Sequence, residues 1–322
     1  MKVDRAQLEE HVRRWSQHSL HGDAPWIPRY LYHFTDVTNA AAILRSGELL
    51  SREEAKRRST KFHDNASQQV IAATRPTHRD FARLYFRPRT PTQFHNEGIR
   101  PLSERKFDHA HCPVPVFLVF KLVETLMLDG LLFSSGNMAA AHVEFGDEAS
   151  LFRQIPFDLV YHEGPIDDTL RARGVIHHRH AEVLAPKALG LETLASIACR
   201  STAERETLLH LLGADERQRW EHRIGVGRTR FFNRRGCFVE KVFLDHAQLL
   251  HVDFHIPNKW SLRVGFQLAS NLSPTSWSWS SANWTDNQLR LNLRDIEPGV
   301  MTLNVEECLA YNSLIQPTDV PF

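Results

Sequence analysis

The chain has little cysteine and no long apolar run, and these two features exclude several classes of protein. Its 322 residues contain four scattered cysteines, which form neither a CxxC pair nor a disulfide framework. No apolar run reaches the roughly 18 residues that a membrane span needs. The first ten residues lack the apolar segment of a secretory signal. We therefore expect a cytoplasmic protein that does not insert into a membrane.

The chain also lacks an overall charge of one sign, because its formal net charge is only +1. Total charge therefore does not indicate a nucleic-acid-binding protein. The local distribution is more informative, since the segment from Arg52 to Arg105 holds 12 basic and six acidic residues. Such an excess either attracts a polyanion or is balanced by acidic neighbours in the folded protein.

The length allows more than one domain, and the pattern of apolar residues predicts three parts. Residues 1–25 contain an amphipathic helix, with apolar residues at helical spacing. Residues 26–232 mix helices with strands, the most apolar of which is Val114 to Val123. Residues 51–79 are polar and weakly periodic, which indicates a long loop with some helix. The predicted class is α+β, with a mixed, split β core and helices packed around it.

Residues 233–322 show a different pattern, in which apolar and polar residues alternate. This alternation predicts several short strands separated by turns, as in a small β-sandwich or barrel. The segment holds seven basic and nine acidic residues, and four of the seven tryptophans of the chain. Its net charge of −2 does not favour electrostatic binding of the nucleic-acid backbone. Trp277 and Trp279 alternate along one strand and are interpreted as aromatic core or as a stacking platform.

One acidic residue stands at the start of a predicted apolar strand. The stretch Val175-Ile-His-His-Arg-His-Ala-Glu-Val-Leu-Ala185 places Glu182 directly before the apolar residues. A charged group is seldom buried without a partner, so this acid either lies at a solvated strand edge or has a function. On a strand His178 and His180 would share a face, which allows a zinc site, a proton relay or a phosphate contact. The sequence contains no further cluster of ligands that would close a zinc site.

Four segments in order resemble the DarT family, the DNA ADP-ribosyltransferase toxins of toxin–antitoxin and phage-defence systems. Tyr32-His-Phe-Thr35 with Asn39 and Ile43-Leu-Arg-Ser-Gly-Glu-Leu-Leu50 resembles the family pattern YHxTHxxNLxxILxxGxLL. Leu84-Tyr-Phe-Arg-Pro-Arg-Thr-Pro91 resembles FYFxPRSPM, and Phe133-Ser-Ser-Gly-Asn-Met-Ala139 stands where the family has FTDxHA. Ala181-Glu-Val-Leu184 resembles AEFLV, whose glutamate is catalytic. The resemblance covers about residues 26–232.

The resemblance implies an NAD-dependent transferase that modifies a nucleobase in single-stranded DNA, with NAD as co-substrate. Glu182 is then the catalytic residue, which hydrogen-bonds the ribose and takes the proton of the acceptor. Residues expected to bind the co-substrate are His33, Thr35, Asn39, Tyr85 and Phe86. Residues expected to bind the nucleic acid are Arg75, Arg87, Arg89 and His180. The resemblance also implies a macrodomain antitoxin as a partner.

Two departures from the family pattern leave the acceptor and the basic residue of the site open. The family places a catalytic arginine about 20 residues before the FYF strand, whereas this chain has no arginine between Lys61 and Arg75. Arg58, Arg75 or Gln69 are the candidates to take that place. FTD is replaced by Phe-Ser-Ser, and the methionine of PRSPM by Thr92. The acceptor is therefore open between thymidine, another base and RNA or protein.

A non-catalytic descendant that only binds nucleic acid or another ligand is the rival hypothesis, since the arginine is missing. The segment 233–322 lies outside the resemblance, and we expect it to sense a phage component or to bind the antitoxin. Deleting it is then expected to remove regulation and to leave transfer intact.

Overall fold

The computed structural model describes residues 2–18, 24–60, 62, 76–106, 110–140, 142–228, 230–245, 248–293 and 297–316. Two of the candidates for the missing arginine, Arg75 and Gln69, lie outside the described residues. The apolar side chains form two clusters. The first is built from residues 8–232, and the second mainly from residues after 236.

Seventeen strands are present in the described ranges, ten before residue 232 and seven after it. The first ten are β1 (Tyr30–Asp36), β2 (Glu48–Leu50), β3 (Phe81–Tyr85), β4 (Pro115–Lys121), β5 (Leu132–Ser134), β6 (Phe145–Gly146), β7 (Glu182–Pro186), β8 (Ala188–Gly190), β9 (Leu194–Cys199) and β10 (Ile224–Val226). Eight of them form one mixed sheet in the order β10-β9-β4-β1-β3-β7-β5-β6, and β2 pairs with β8. The predicted α+β class is confirmed.

Eleven α-helices are present in the described ranges. They are α1 (Arg5–Ser16), α2 (Val37–Ser46), α3 (Arg52–Arg57), α4 (Pro91–Asn96), α5 (Leu122–Leu126), α6 (Ala149–Gln154), α7 (Phe157–Val160), α8 (Asp168–Ala172), α9 (Val175–His178), α10 (Thr202–Leu211) and α11 (Ala214–Trp220). Short 3-10 turns cover Ile27–Arg29, Pro76–Asp80, Leu102–Glu104 and Glu221–Arg223. None of the helices in the described ranges combines the length and the apolar character that crossing a bilayer requires.

The turn from β1 into α2 follows from its local sequence. The Asp36 carboxylate accepts the N–H of Thr38 at 3.0 Å, which caps the first turn of the helix. Gly47 ends the helix with φ +76°, a conformation that costs glycine little. Because both ends are defined by capping residues, the side chains at the end of β1 and on the first turn of α2 keep a fixed relation.

The main sheet opens between its two central strands, β1 and β3. β1 pairs with β4 along all seven of its residues, from Tyr30 to Asp36. With β3 it pairs only through Tyr32 and Tyr85, whereas β3 continues to pair with β7 from Phe81 to Tyr85. Beyond the Tyr32–Tyr85 pair the two strands separate, which leaves their side chains access to a cleft.

The histidine run before β7 is not part of the strand. Val175–His178 is a short helix, and β7 begins only at Glu182. The interpretation in which His178 and His180 share a strand face is therefore wrong. His178 instead donates from Nδ1 to the carbonyl of Ser135 at 2.7 Å, and this bond fixes the loop that precedes Glu182.

The last seven strands form two antiparallel sheets around the second apolar cluster. They are β11 (Phe238–Leu244), β12 (Leu249–His255), β13 (Leu262–Ser270), β14 (Ser276–Trp284), β15 (Gln288–Asn292), β16 (Gly299–Val305) and β17 (Cys308–Ile315). Their orders are β11-β12-β15 and β14-β13-β16-β17. Trp277 is 39% exposed, and its ring meets Phe266 edge-on at 5.5 Å between centroids. The strand alternation predicted five of these strands, and the alternating Trp277 and Trp279 indicated β14. β17 was missed because its apolar residues do not alternate regularly.

The C-terminal sheets are docked onto the first part of the chain, and the second apolar cluster includes Ile99 and Ala203. Ile99 exchanges backbone hydrogen bonds with Cys237 at 2.8 and 2.9 Å. Gly98 lies so close to Gly236 that a Cβ on Gly98 would approach the Gly236 Cα to 2.8 Å. Two glycines meeting in this way allow the backbones to approach closely.

A buried ion network lies at the same interface. The Arg200 guanidinium donates to the Glu204 carboxylate and lies 3.7 Å from Glu97, and all three side chains are fully buried. Glu97 also accepts the backbone N–H groups of Asn233 and Arg234 at 2.8 and 2.7 Å. The segment that enters the C-terminal sheets is thus held by a carboxylate of the first part.

Candidate active site

The centre of the candidate site is Glu182, the first residue of β7. Its side chain is buried, with the residue 1% exposed. Its backbone N–H donates to the Ser134 hydroxyl at 3.1 Å, and that hydroxyl donates to the carbonyl of Gly136 at 2.8 Å. Across the strand pair Glu182 lies opposite Tyr85. The acid is therefore buried where the sheet opens, and the prediction of a solvated strand edge is wrong.

The charge of Glu182 is balanced by Arg83, which precedes Tyr85 by two residues on β3. A guanidinium nitrogen of Arg83 lies 3.2 Å from the Oε2 of Glu182. Burial raises the pKa of the Glu182 carboxyl to about 7, and the charge of Arg83 opposes this rise. Both protonation states are therefore populated near neutral pH, as a group that exchanges a proton with a substrate requires.

His33 and Tyr85 are the other titratable groups near Arg83 and Glu182. The ring of His33 lies 2.9 Å from the Arg83 carbonyl through Nδ1. Since a carbonyl only accepts, Nδ1 carries the proton and Nε2 is left as an acceptor. Burial lowers the pKa of His33 to about 4, so the ring is neutral at pH 7. Burial, and then the charge of Glu182, raises the pKa of Tyr85 above its usual range, so its hydroxyl remains a donor.

A cavity of about 370 Å³ opens beside His33, and neither Glu182 nor Tyr85 is among its lining residues. It includes His33 and Thr35 from the end of β1 and Asn39 from α2, three of the five residues predicted to bind the co-substrate. The Asn39 amide donates to the Thr35 hydroxyl at 3.1 Å, which orients its carbonyl oxygen. The other walls of the cavity come from α2, β2, α3 and the residues after α3. They include Ala42, Ile43, Leu49, Arg52, Arg58 and Phe62. The volume and the mixed apolar and polar lining suit a small organic ligand.

Phe86 and Arg87 lie in the interior rather than in this cleft. Phe86 is fully buried, and its ring meets that of Phe157 edge-on at 5.3 Å between centroids. Arg87 is 4% exposed and donates to the carbonyl of Val160 at 3.0 Å and to Glu163 at 3.0 Å. The structure thus places the ring of Phe86 in the core because alternate β-strand side chains point to opposite faces. Arg87 donates to backbone carbonyls and to Glu163, and it forms part of the wall of the groove described below.

His180 is also used within the protein. Its Nδ1 lies 3.0 Å from the carbonyl of Ile176, and its Nε2 lies 3.0 Å from the Thr92 hydroxyl. The carbonyl only accepts, so Nδ1 donates and Nε2 accepts from Thr92. Burial lowers the pKa of His180 to about 4. A neutral ring with both nitrogens engaged does not support the predicted contact with a phosphate.

Arg89 lies in a groove that borders the site. Its side chain is 26% exposed, and it donates to the carbonyl of Phe232 at 2.9 Å and lies 3.9 Å from Glu163. A cavity of about 480 Å³ is lined here by Arg87, Arg89, Phe94, His95, Lys106, Glu163, Ile176 and Arg179. Next to it, the guanidinium of Arg235 stacks 3.9 Å from the centre of the exposed Phe94 ring. A cationic groove with an exposed aromatic ring suits a single-stranded nucleic acid.

The zinc interpretation of the histidine run has no structural support in the described residues. Within the ranges given above, no three His, Cys, Asp or Glu side chains are grouped so as to hold a metal ion. His178 and His180 instead bond to backbone carbonyls.

Arg83 and Ser134 were missed by the sequence interpretation, although one pattern points to Arg83. The period of two along a strand places Arg83 on the same face as Tyr85, and Tyr85 was already a candidate. A long side chain on that face reaches the diagonal neighbour on the adjacent strand, which is Glu182. Ser134 carries no such signal, because its contact with Glu182 depends on how β5 pairs with β7.

This fold and site define an α+β transferase with a buried glutamate at the opening of a split sheet. The family model described as "DarT: ssDNA thymidine ADP-ribosyltransferase" matches residues 32–232. The chain belongs to the DarT family. The predicted enzyme class, an NAD-dependent ADP-ribosyltransferase, is confirmed. No curated protein matches the chain in sequence.

Solved structures of DarT proteins are similar to this chain at low identity. A Thermus sp. 2.9 DarT in complex with ADP-ribosylated ssDNA is 18% identical, with a TM-score of 0.49 over 64% of this chain and 96% of that one. The same protein in complex with NAD+ is 19% identical, with a TM-score of 0.47 over 64% and 98%. A Thermosipho africanus DarTG in complex with ADP-ribose is 18% identical, with a TM-score of 0.48 over 63% and 51%.

Proposed function

We propose that this protein transfers ADP-ribose from NAD to a nucleobase in single-stranded DNA. The observation that carries the proposal is the buried Glu182 carboxylate, which pairs with Arg83 at the opening of the sheet. His33, whose ring donates to the Arg83 carbonyl, lines a cavity together with Thr35 and Asn39. Family membership supplies the reaction class. The non-catalytic alternative is disfavoured because the family model matches residues 32–232 and the acid of the family motif is present, buried and paired with Arg83.

The residues of the cleft are suited to distinct parts of this reaction. NAD supplies the ADP-ribosyl group, whose transfer passes through an oxocarbenium-like centre as glycoside hydrolysis does. The bond from the ribose to nicotinamide breaks, a bond to the nucleobase forms, and the ionised Glu182 takes the proton that the base loses. The same carboxylate stabilises positive charge at the reacting carbon. His33 offers Nε2 as an acceptor and Thr35 and Asn39 offer polar groups at the cavity wall, which hold the donor in place.

Incubation with labelled NAD and a set of acceptors tests the proposed function. Single-stranded DNA, the same sequence as RNA, and the protein alone are offered in parallel. We expect label on DNA, and mass spectrometry of the product then identifies the modified base. Label on RNA alone would show that RNA is the acceptor instead of DNA, while the reaction would still be ADP-ribose transfer. Label on protein alone, or no release of nicotinamide at all, would reject the proposal.

The proposal includes a role as a toxin with a neutralising macrodomain partner. Modification of bases in single-stranded DNA interferes with replication, so a cell that holds such an enzyme needs a means of reversal. We expect induced expression in bacteria to stop growth, and Glu182→Gln to relieve the arrest at equal protein level. Co-expression of a macrodomain hydrolase is expected to restore growth. Unimpaired growth with the wild-type protein, verified as folded and active, would reject the toxin role.

The groove beside Arg89 is the proposed path of the nucleic acid. Arg235 stacks on the exposed ring of Phe94, and this pair is available to a base and to a phosphate. We expect the double variant Phe94→Ala and Arg235→Ala to weaken binding of a labelled single-stranded oligonucleotide about tenfold, measured by fluorescence anisotropy. The slope of log K against log salt should fall by about one unit, since one phosphate contact is lost.

Arg290→Ala is the matched control for the groove, because Arg290 is an exposed arginine of β15 in the C-terminal sheets. Its affinity and salt dependence should equal those of the wild type. Equal affinity of the groove variant and of the Arg290 control would show that the nucleic acid follows another path.

A further inference from the structure

Arg83 connects three parts of the candidate site. Its guanidinium lies 3.2 Å from the Oε2 of Glu182 and donates to the carbonyl of His78 at 2.9 Å. Its own carbonyl accepts the Nδ1–H of His33. The backbone carbonyl and the side chain of Arg83 thus link His33 to Glu182 across the opening between β1 and β3.

The contact with Glu182 differs from a surface ion pair. The side chain of Glu182 is 2% exposed and that of Arg83 is 25% exposed. The carboxylate is therefore shielded from solvent, whereas solvent contacts one side of the guanidinium. Oε2 is buried and accepts no well-aligned hydrogen bond from any group in the described ranges. The carboxylate is therefore held by the charge of Arg83 rather than by an aligned hydrogen bond.

The charged and titratable groups around Glu182 come from neighbouring strands. β3 contributes Arg83 and Tyr85, and β1 contributes His33 through the Arg83 carbonyl. β5 contributes the uncharged Ser134. His180, two residues earlier, is engaged with Ile176 and Thr92. Of the groups named here, Arg83 is the cation that lies within ion-pair distance of the carboxylate.

We infer that Arg83 is a positioning residue, which holds Glu182 ionised and in place for the transfer proposed above. The inference rests on that proposed function. The physical reason is that burial favours the neutral carboxylic acid, which is unable to take the proton of the acceptor, and an adjacent cation favours the carboxylate. Arg83 also gives the site a basic group on β3, although the loop before β3 lacks an arginine between Lys61 and Arg75.

Three variants test the inference. Arg83→Met keeps the length of the side chain and removes its charge, Arg83→Lys keeps the charge, and Arg173→Met removes an exposed arginine paired with Asp158 as a control. The first measurement is the pH profile of transfer at saturating NAD and oligonucleotide. We expect the acid limb of the Met variant to move up by roughly one to three pH units. Its rate should fall about tenfold or more at pH 7 and recover above pH 9, with Lys intermediate and the control unchanged.

The second measurement follows the Glu182 carboxyl itself in protein without NAD. Infrared difference spectra over pH, assigned by subtracting Glu182→Gln, report its ionisation directly. We expect the titration of the Met variant to move in the same direction as the pH profile. An unmoved titration in a folded Arg83→Met variant would overturn the inference.

The two measurements also separate this inference from the proposed function. If the wild type labels no nucleic acid, the proposed function fails, whereas the carboxyl titration still shows whether Arg83 controls Glu182. If the wild type is active and the Met variant has the same pH profile and the same titration, the inference fails and the function stands.

Discussion

Glu182→Gln is expected to lower ADP-ribose transfer by about 10² to 10⁴-fold and to raise the stability of the protein at alkaline pH. The loss of activity follows because the amide is unable to take a proton from the acceptor. The gain in stability follows because burial raises the pKa of this carboxyl to about 7, above its usual value of 4.5. Transfer is measured with labelled NAD, and the free energy of unfolding by urea denaturation at pH 4 and pH 8.

The direction of the stability effect depends on pH. A carboxyl with a raised pKa favours the folded state below pH 4.5, and this advantage is lost as the pH rises through 7. The glutamine variant does not ionise, so it should exceed the wild type by about 3 kcal/mol at pH 8 and by little at pH 4. In the glutamine variant Arg83 loses its charged partner, but its guanidinium is partly exposed and is stabilised by solvent.

Glu192→Gln is the control for this comparison, because Glu192 is an exposed residue of the same domain. It should keep both activity and stability. A Glu182→Gln variant that transfers ADP-ribose at the rate of the wild type would remove Glu182 from the mechanism. If Glu182→Gln is less stable than the wild type at pH 8, the contacts of the ionised carboxylate outweigh the cost of its burial.

A chain that ends at Phe232 is expected to fail to accumulate as a folded protein. The deletion uncovers Ile99 and Ala203, which belong to the apolar cluster of the C-terminal sheets. It also removes Phe238, whose ring lies 4.0 Å from the Arg200 guanidinium. The Glu97 carboxylate also loses the N–H groups of Asn233 and Arg234, and a buried acceptor left without its donors costs about 1–3 kcal/mol. This cost adds to the exposed apolar surface and is a large part of the stability of a typical domain. Soluble yield and thermal unfolding of the truncated chain measure the effect.

This expectation differs from the one drawn from the sequence, in which the same deletion removes regulation and leaves transfer intact. The reason is that the N–H groups of Asn233 and Arg234 donate to Glu97, so the segment is an integral part of the interface. Trp277→Ser is the matched control within the C-terminal sheets, since its ring is partly exposed on the outer strand β14. We expect it to stay folded and active. A truncated chain that folds and transfers ADP-ribose would show that the C-terminal sheets are independent.

The elements with strong local signals were predictable from the sequence. The helix after β1 has its capping aspartate and terminal glycine, and β4 has an unbroken apolar run from Pro115 to Phe120. The β-rich character of residues 233–322 followed from alternation. The histidine run was misassigned because three histidines in six residues have no marked preference for strand or helix.

The sequence by itself determined the family and the candidate acid, because the four motifs keep their order and Glu182 stands directly before an apolar strand. Tertiary structure alone decided which neighbours the acid has, since Arg83, Tyr85 and Ser134 reach it only through the pairing of β7 with β3 and β5. It also decided that Phe86 and His180 serve the interior and that the C-terminal sheets are docked onto the first part of the chain. The physical reason is that burial and charge balance depend on contacts between residues far apart in the chain, whereas capping and alternation depend on residues that are close in sequence.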